Sequence, residues 1–214
     1  MYRTEIRHFH REPAQMETRT ERADRIRAVH PAFEGGVIVE PKSNVVLIGM
    51  PGAGKSTIGV LLAKRLECDF LDTDITLQAR EGRSLHQIIR EDGTERFRAL
   101  EARYVRETDV RRCVIATGGS VVYDAGAMDH LRKNGRTLFL DLSLAALADR
   151  LGDIDARGVS RAPGQSLAAL YDERLPLYQQ YADITVACDG LGPEPVVRAA
   201  LAELAKFPEW VANL

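Results

Sequence analysis

The sequence predicts an α/β protein: a parallel five-stranded sheet with helices on both faces. Three observations carry that prediction. Short apolar stretches, VVLI at 45–48, CDFLD at 68–72, CVIAT at 113–117, TLFLDL at 137–142 and ITVAC at 184–188, recur along the chain. Segments of helical period separate them, the alternation that builds parallel sheets. The first stretch, β-branched and apolar like a strand buried on both faces, runs into a glycine-rich turn that opens an amphipathic segment.

Taken in order, residues 1–43 form a charged extension in which arginine and glutamate interleave, with one helix expected over Thr18–Val29 and breaks at His30-Pro31 and Gly35-Gly36. The interleaved acids mark a solvated face or a disordered arm, unlike an acid-poor transit peptide. His8 and His10 share one side of an extended strand, with no third metal ligand nearby. The domain proper is expected over 44–214. After the first strand, Ile58, Leu61, Leu62 and Leu66 recur at helical spacing, with Thr57 beginning the helix. CDFLDTD reads as a second strand closed by Asp72 and Asp74, followed by a helix over Ile75–Arg80 that stops at Gly82. Ser84 caps LHQIIRED and Gly93 ends it. Thr94 opens ERFRALEARYVRET, with Phe97, Leu100, Tyr104 and Val105 inward. CVIAT runs straight into Gly118-Gly119-Ser120, and a short helix over Met128–Lys133 closes at Asn134-Gly135. TLFLDL precedes the helix LAALADRL, and residues 152–165 lose all period, as a mobile lid does. Helices over Ser166–Tyr181 and Glu194–Lys206 flank the last strand.

At 214 residues, 45% of them apolar, the chain has room for one substantial domain and an appendage. A net charge of −2 gives no electrostatic case for nucleic acid. Cys68, Cys113 and Cys188 stand in or beside apolar stretches without metal-site spacing, and read as reduced residues of a cytoplasmic protein. No apolar run approaches a membrane span, and the N-terminus lacks the apolar core of a signal peptide.

The chemistry is concentrated at the carboxyl ends of the strands, where open parallel sheets bind ligands. Gly49, four residues, then Gly54-Lys55-Ser56 is the Walker A spacing. In such a loop the backbone of Gly52, Ala53, Gly54 and Thr57 surrounds phosphate at a helix N-terminus. Lys55 reaches the β- and γ-phosphates, and the Ser56 hydroxyl ligates Mg²⁺. Phosphoryl transfer gives Asp72 and Asp74 a use, one holding the metal's water ligands and the other orienting the acceptor hydroxyl. The alternative use of the pair is a helix cap, with Asp72 or Asp74 accepting N–H bonds at the first turn. Taken singly, Arg98 and Arg174 are ordinary helix arginines and Gly118-Gly119 is an ordinary turn. Arg157 and Arg161 lie in the lid, where one arginine can stabilise charge on the transferring phosphoryl group.

Together GMPGAGKSTIG, FLDTD, GTERFRALE, ATGGS and the RxPLYxxYAD segment from Arg174 to Asp183 resemble shikimate kinase, a small P-loop kinase with the nucleoside monophosphate kinase-like three-layer fold, over about Asn44–Lys206. The resemblance implies ATP-dependent phosphorylation of shikimate at its 3-hydroxyl, with Mg²⁺; separately, a monomer is expected. It hands Lys55, Asp74 and Arg157 the catalytic roles and Asp72 the water shell of the metal. Asp74, Arg98, Gly118, Gly119 and Arg174 receive shikimate, and Arg150 takes the adenine side. Two arginines suit a carboxylate, and an aspartate with backbone N–H groups suits hydroxyls. Three departures stand out: Ser120 replaces the family's third glycine, Gly93-Thr94 replaces Gly-Glu, and RGVSRAP replaces the lid motif RPLL. Arg157 is the first choice of lid arginine and Arg161 the second. A changed lid leaves open a kinase for another hydroxylated acid. A nucleotide-binding regulatory protein without an acceptor is the reading from a different class, and Asp74, Arg98 and Arg174 together speak against it.

Overall fold

The computed structural model describes residues 42–151 and 159–207. By internal contacts the chain divides into two units, Met1–Val39 and Glu40–Leu214, and every described residue belongs to the second. The helix expected over 18–29, His8, His10 and the lid residues 152–158, including Arg157, lie outside the described residues.

Five strands, β1 (Asn44–Ile48), β2 (Asp69–Asp72), β3 (Cys113–Ala116), β4 (Gly135–Asp141) and β5 (Ile184–Ala187), form one sheet in the order β2-β3-β1-β4-β5. Every pairing is parallel. Central β1 is buried throughout, which explains its unbroken apolar sequence. Helix α1 (Lys55–Arg65) packs with α8 (Pro193–Leu204) over one face, and α5 (Ala125–Asn134) and α7 (Leu167–Tyr181) lie against β4 on the other. Gly59 lets α1 come down on the sheet: a Cβ there would stand 2.6 Å from the Phe70 ring.

Between β2 and β3 the chain makes α2 (Thr73–Glu81), α3 (Leu85–Asp92) and α4 (Thr94–Arg106). Ser84 caps α3 with a reciprocal capping box through Gln87. Phe97, Leu100 and Tyr104 bury one face of α4 against Leu77 and Ile88, and Val105 joins the main core, as their spacing predicts. A short helix, α6 (Leu144–Leu151), leads to the lid.

Several boundaries differ from the sequence reading for local reasons. Helix α1 begins at Lys55 rather than Thr57, because Gly54 takes the capping position at φ 96°. Strand β2 ends at Asp72, whose carboxylate accepts from the N–H groups of Asp74 and Ile75. The helix therefore starts at Thr73 and Asp74 lies in its first turn. Asp124 caps α5 in the same way through Ala127 N–H, extending that helix back to Ala125. Gly135 is the first residue of β4, not a turn. A Cβ on it would lie 2.8 Å from Val46 and 2.9 Å from the Leu131 carbonyl, so glycine allows helix and strand to meet directly. All three cysteines are free thiols, Cys113 and Cys188 buried and Cys68 partly so.

Candidate active site

The phosphate loop leaves the carboxyl end of β1. Gly49 (φ 144°), Gly52 (φ 79°) and Gly54 (φ 96°) all take conformations that favour glycine. At Gly52 a Cβ would also strike Leu151 at 2.8 Å. Inside the loop the buried Lys55 ammonium donates to the carbonyls of Gly49 at 2.8 Å and Met50 at 3.0 Å. Burial lowers its pKa to about 8 against the opposing attraction of Asp74. Ala53 is buried within the turn, and Ser56 and Thr57 expose their side chains on the first turn of α1.

Ser56 Oγ donates to Asp72 Oδ2 at 2.6 Å, while Asp72 Oδ1 caps α2. One carboxylate thus caps the helix and meets the Ser56 hydroxyl at the same time. A hydroxyl beside a carboxylate at the mouth of a phosphate loop suits Mg²⁺, which takes one or two protein oxygens and completes its shell with phosphates and water. Among the described residues no group of three or more His, Cys, Asp or Glu side chains could hold a metal by itself.

Beside the loop lies a cleft of about 550 Å³ whose walls include Lys55, Ser56, Asp74, Glu101, Gly118, Gly119, Ser120, Ser160 and Arg174. Three of its lining residues carry buried polar atoms without hydrogen-bond partners: Asp74 Oδ1, Glu101 Oε1 and Arg174 Nη1. Burial raises the Asp74 pKa to about 6, with Lys55 opposing, and raises Glu101 to about 7, with Asp74 adding to the effect. Gly118 is held by its N–H to Thr73 Oγ1 at 3.1 Å. Its missing side chain is what admits the carboxyls, since a Cβ would stand 1.9 Å from Glu101 Oε1. A Cβ on Gly119 would meet Pro51 at 2.9 Å and Arg174 at 3.0 Å. Tyr178 Oη donates to the Gly119 carbonyl at 2.6 Å and fixes that turn.

Arg174 is fully buried. Its Nε donates to Tyr123 Oη at 3.1 Å and its Nη2 to the Ser160 carbonyl. Arg98 is half-buried behind the cleft wall. Its guanidinium lies 4.0 Å from the centre of the Tyr123 ring, and its Nε donates to Ser160 Oγ at 3.2 Å. The two arginines converge on Tyr123 and Ser160.

The shikimate kinase family model matches residues 51–205. That is most of the chain. It belongs to the shikimate kinase family. The shikimate kinase of Thermobifida fusca is 40% identical over 161 residues, covering 74% of this chain and 93% of that protein. Among solved structures, shikimate kinase from Acinetobacter baumannii in complex with shikimate superposes with a TM-score of 0.71 at 28% identity, covering 77% of this chain and 93% of that one. The Aquifex aeolicus shikimate kinase gives a TM-score of 0.65 at 34% identity, with coverage of 75% and 95%.

A second recess of about 290 Å³ also borders the phosphate loop, lined by Ala53, Gly54, Thr57, Arg150 and Pro193 among others. Arg150 on α6 lines this recess, its Nη1 4.0 Å from where a Cβ on Gly54 would be. Of the two arginines expected on the lid, Arg161 is described: its guanidinium donates to the Gln165 carbonyl while its own carbonyl accepts from Thr94 Oγ1 at 3.2 Å.

Sequence reasoning left three residues without a role. Glu101 is the last residue of GTERFRALE and lies on the inward face of α4 with Phe97, Leu100 and Tyr104. An acid in an apolar stripe is a signal in itself, because charge is not buried without a reason. Tyr123 and Ser160 carry no such signal. Their place follows from a one-turn 3₁₀ segment (Val121–Tyr123) and from the lid's return path.

Proposed function

We propose that this chain transfers the γ-phosphoryl group of ATP to the 3-hydroxyl of shikimate. One observation carries the reading: a buried guanidinium donor and two buried carboxyl oxygens stand unpaired in a cleft that opens onto the phosphate loop. Unpaired buried polar atoms cost stability. A small acid bearing hydroxyls supplies the carboxylate and hydroxyl partners they lack.

On this reading Arg174 and Arg98 take the acceptor carboxylate, the backbone at Gly118 and Gly119 binds beside it, and Asp74 receives the reacting hydroxyl. With a pKa of about 6, Asp74 is largely ionised at neutral pH and can accept that hydrogen bond. Lys55 exchanges the Gly49 and Met50 carbonyls for phosphate oxygens. Gly49, Gly52, Ala53, Gly54 and Thr57 cradle the phosphates, and Arg150 flanks the adenine. Ser56 and Asp72 would hold Mg²⁺, the group that neutralises phosphate charge during transfer. Arg157 is the proposed lid arginine, with Arg161 the second choice. We assign the protein to the cytoplasm as a monomer with a small-molecule partner and without nucleic acid or membrane. Among the described residues no helix is long and apolar enough to cross a membrane.

The test is ADP release from MgATP with and without shikimate, alongside quinate and other hydroxy acids. Strong stimulation by shikimate alone supports the reading. Preference for another acid supports the second reading, a kinase for a different hydroxylated acid, to which the Ser120 and Ser160 hydroxyls in the cleft wall lend weight. No stimulation at all sinks both.

A further inference from the structure

Tyr123 lies on the one-turn 3₁₀ segment after Ser120, outside the motifs that carry the family resemblance. It stands behind the cleft wall: it lines a small recess with Arg98 and Asp124 and is not among the residues of the cleft itself. Its ring bears the Arg98 guanidinium at 4.0 Å from the centroid, and the Arg174 guanidinium lies 5.1 Å from the same point. Its hydroxyl makes two bonds, donating to Glu173 Oε1 at 2.6 Å and accepting from Arg174 Nε at 3.1 Å. Glu173 Oε2 accepts in turn from Gln165 Nε2. The Tyr123 bond, with Arg98 and Arg174 nearby, keeps the Glu173 carboxyl below its usual range. The phenol proton therefore stays with an ionised acceptor, and the lone pairs of the oxygen are left to Arg174.

Ser160 completes the arrangement, its hydroxyl accepting from Arg98 Nε and its carbonyl from Arg174 Nη2. Both arginines thus spend Nε on the protein. Among the described residues nothing accepts from the terminal nitrogens of Arg98 or from Arg174 Nη1. We propose that Tyr123 is a positioning residue for the acceptor carboxylate: its ring bears Arg98, its hydroxyl fixes Arg174, and two arginines from α4 and α7 are set as one clamp. It acts without touching the acceptor, and the group it serves is the carboxylate rather than the hydroxyls. The inference rests on the phosphotransferase reading above, in which Arg98 and Arg174 receive that carboxylate.

The experiment compares the parent with Tyr123→Phe, which keeps the ring and loses the hydroxyl, and Tyr123→Leu, which loses both. Shikimate affinity is measured by titration calorimetry, and kcat/KM is measured with shikimate and with its carboxamide, which keeps the ring hydroxyls but carries no charge. In Tyr123→Phe the buried Arg174 Nε loses its partner, and shikimate affinity falls about tenfold, the scale of one charge-assisted hydrogen bond. Tyr123→Leu also removes the face under Arg98 and falls by about a further two- to fivefold. The carboxamide changes little in either variant, so the preference for the acid over the amide shrinks, and the KM for ATP stays near the parent value. Parent-like shikimate affinity in Tyr123→Phe overturns the inference, as does an equal loss for the acid and the amide, which is what a merely structural role gives. Where Tyr123→Leu does not fold, Tyr123→Phe decides alone. A parent that shikimate does not stimulate overturns instead the reading on which the inference rests.

Discussion

Replacing Gly118 by alanine adds one methyl group where the cleft is most crowded. The φ angle of Gly118 is not in the left-handed region, so the backbone accepts alanine and the cost is steric. The new carbon would stand 1.9 Å from Glu101 Oε1 and 2.7 Å from Asp74 Oδ1, well inside van der Waals contact. Two escapes exist. The turn can shift as a unit, at the roughly 1–3 kcal/mol of an overpacked core. Alternatively Glu101 can rotate away and lose its 2.6 Å bond from Ser120, at about 1.5–3 kcal/mol for a hydrogen bond to a charged group. The cheaper escape sets the loss, at about 2 kcal/mol. For a domain of this size that is a melting temperature lower by about 4–8 °C. The first escape moves the Gly118 turn and the second swings the Glu101 carboxyl, and both reshape the proposed acceptor cleft, so the KM for shikimate rises by about tenfold or more, while the KM for ATP stays near the parent value. Calorimetric melting and a coupled ADP-release assay read both effects. Gly126→Ala is the control: on α5 the nearest atom to its new Cβ is 3.4 Å away, and the change is neutral to about 1 kcal/mol stabilising. Gly118→Ala with parent melting temperature and parent shikimate KM refutes the argument.

Lys55→Met removes the phosphate-loop cation and lowers kcat by about 10²–10³ or more, with the far-UV circular dichroism of the parent; persistent turnover means that the cradle is misassigned. Arg98→Ala raises the shikimate KM more than the ATP KM, and Arg174→Lys, which keeps the charge but loses the fork, does the same; calorimetric titration of each ligand separates the effects, and equal weakening of both ligands sinks the clamp. Stability of the unliganded protein falls as pH rises from 5 to 8. Glu101 is held at about 7 by burial, above its unfolded value near 4.5, so the native state binds the extra proton across that window and stability is lost up to the folded pKa. The loss from this one group is about 3 kcal/mol. Asp124, Asp183 and Glu173, whose pKa values are lowered, lose their contribution only at lower pH. Glu101→Gln, followed by urea unfolding at each pH, flattens the fall; an unchanged slope assigns it elsewhere.

The strands and most helices were legible because their signals are local. The apolar run of β1, the Ser84 cap and the inward spacing of Phe97, Leu100 and Tyr104 each depend on a few neighbouring residues. The phosphate loop was legible for the same reason, its glycines being demanded by backbone conformation. The meeting of Arg98 and Arg174 was legible only through the family pattern, since they are separated by 76 positions and look like solvated helix residues until the fold sets both against Tyr123. The start of α2 was misplaced because Asp72 does two jobs at once, capping the helix and meeting Ser56, and a sequence shows the residue but not the count of its bonds. Ser160 was invisible for a further reason: its contribution to Arg174 is a backbone carbonyl, which every residue has.

The strand order has a consequence for how the molecule is made. By residue 74 a growing chain already contains the phosphate loop, Ser56, Asp72 and Asp74. It cannot yet assemble them, because β3 lies between β1 and β2 in the sheet. The first neighbour of β1 is supplied 69 positions later, at Val45↔Val114, and the second some twenty residues beyond that, at Val45↔Arg136. Loops of that length close at an entropic cost before any contact offsets it. The phosphate loop thus gains its setting late in folding, and an N-terminal fragment that ends before β3 carries the whole loop yet lacks the strand that brings Ser56 to Asp72.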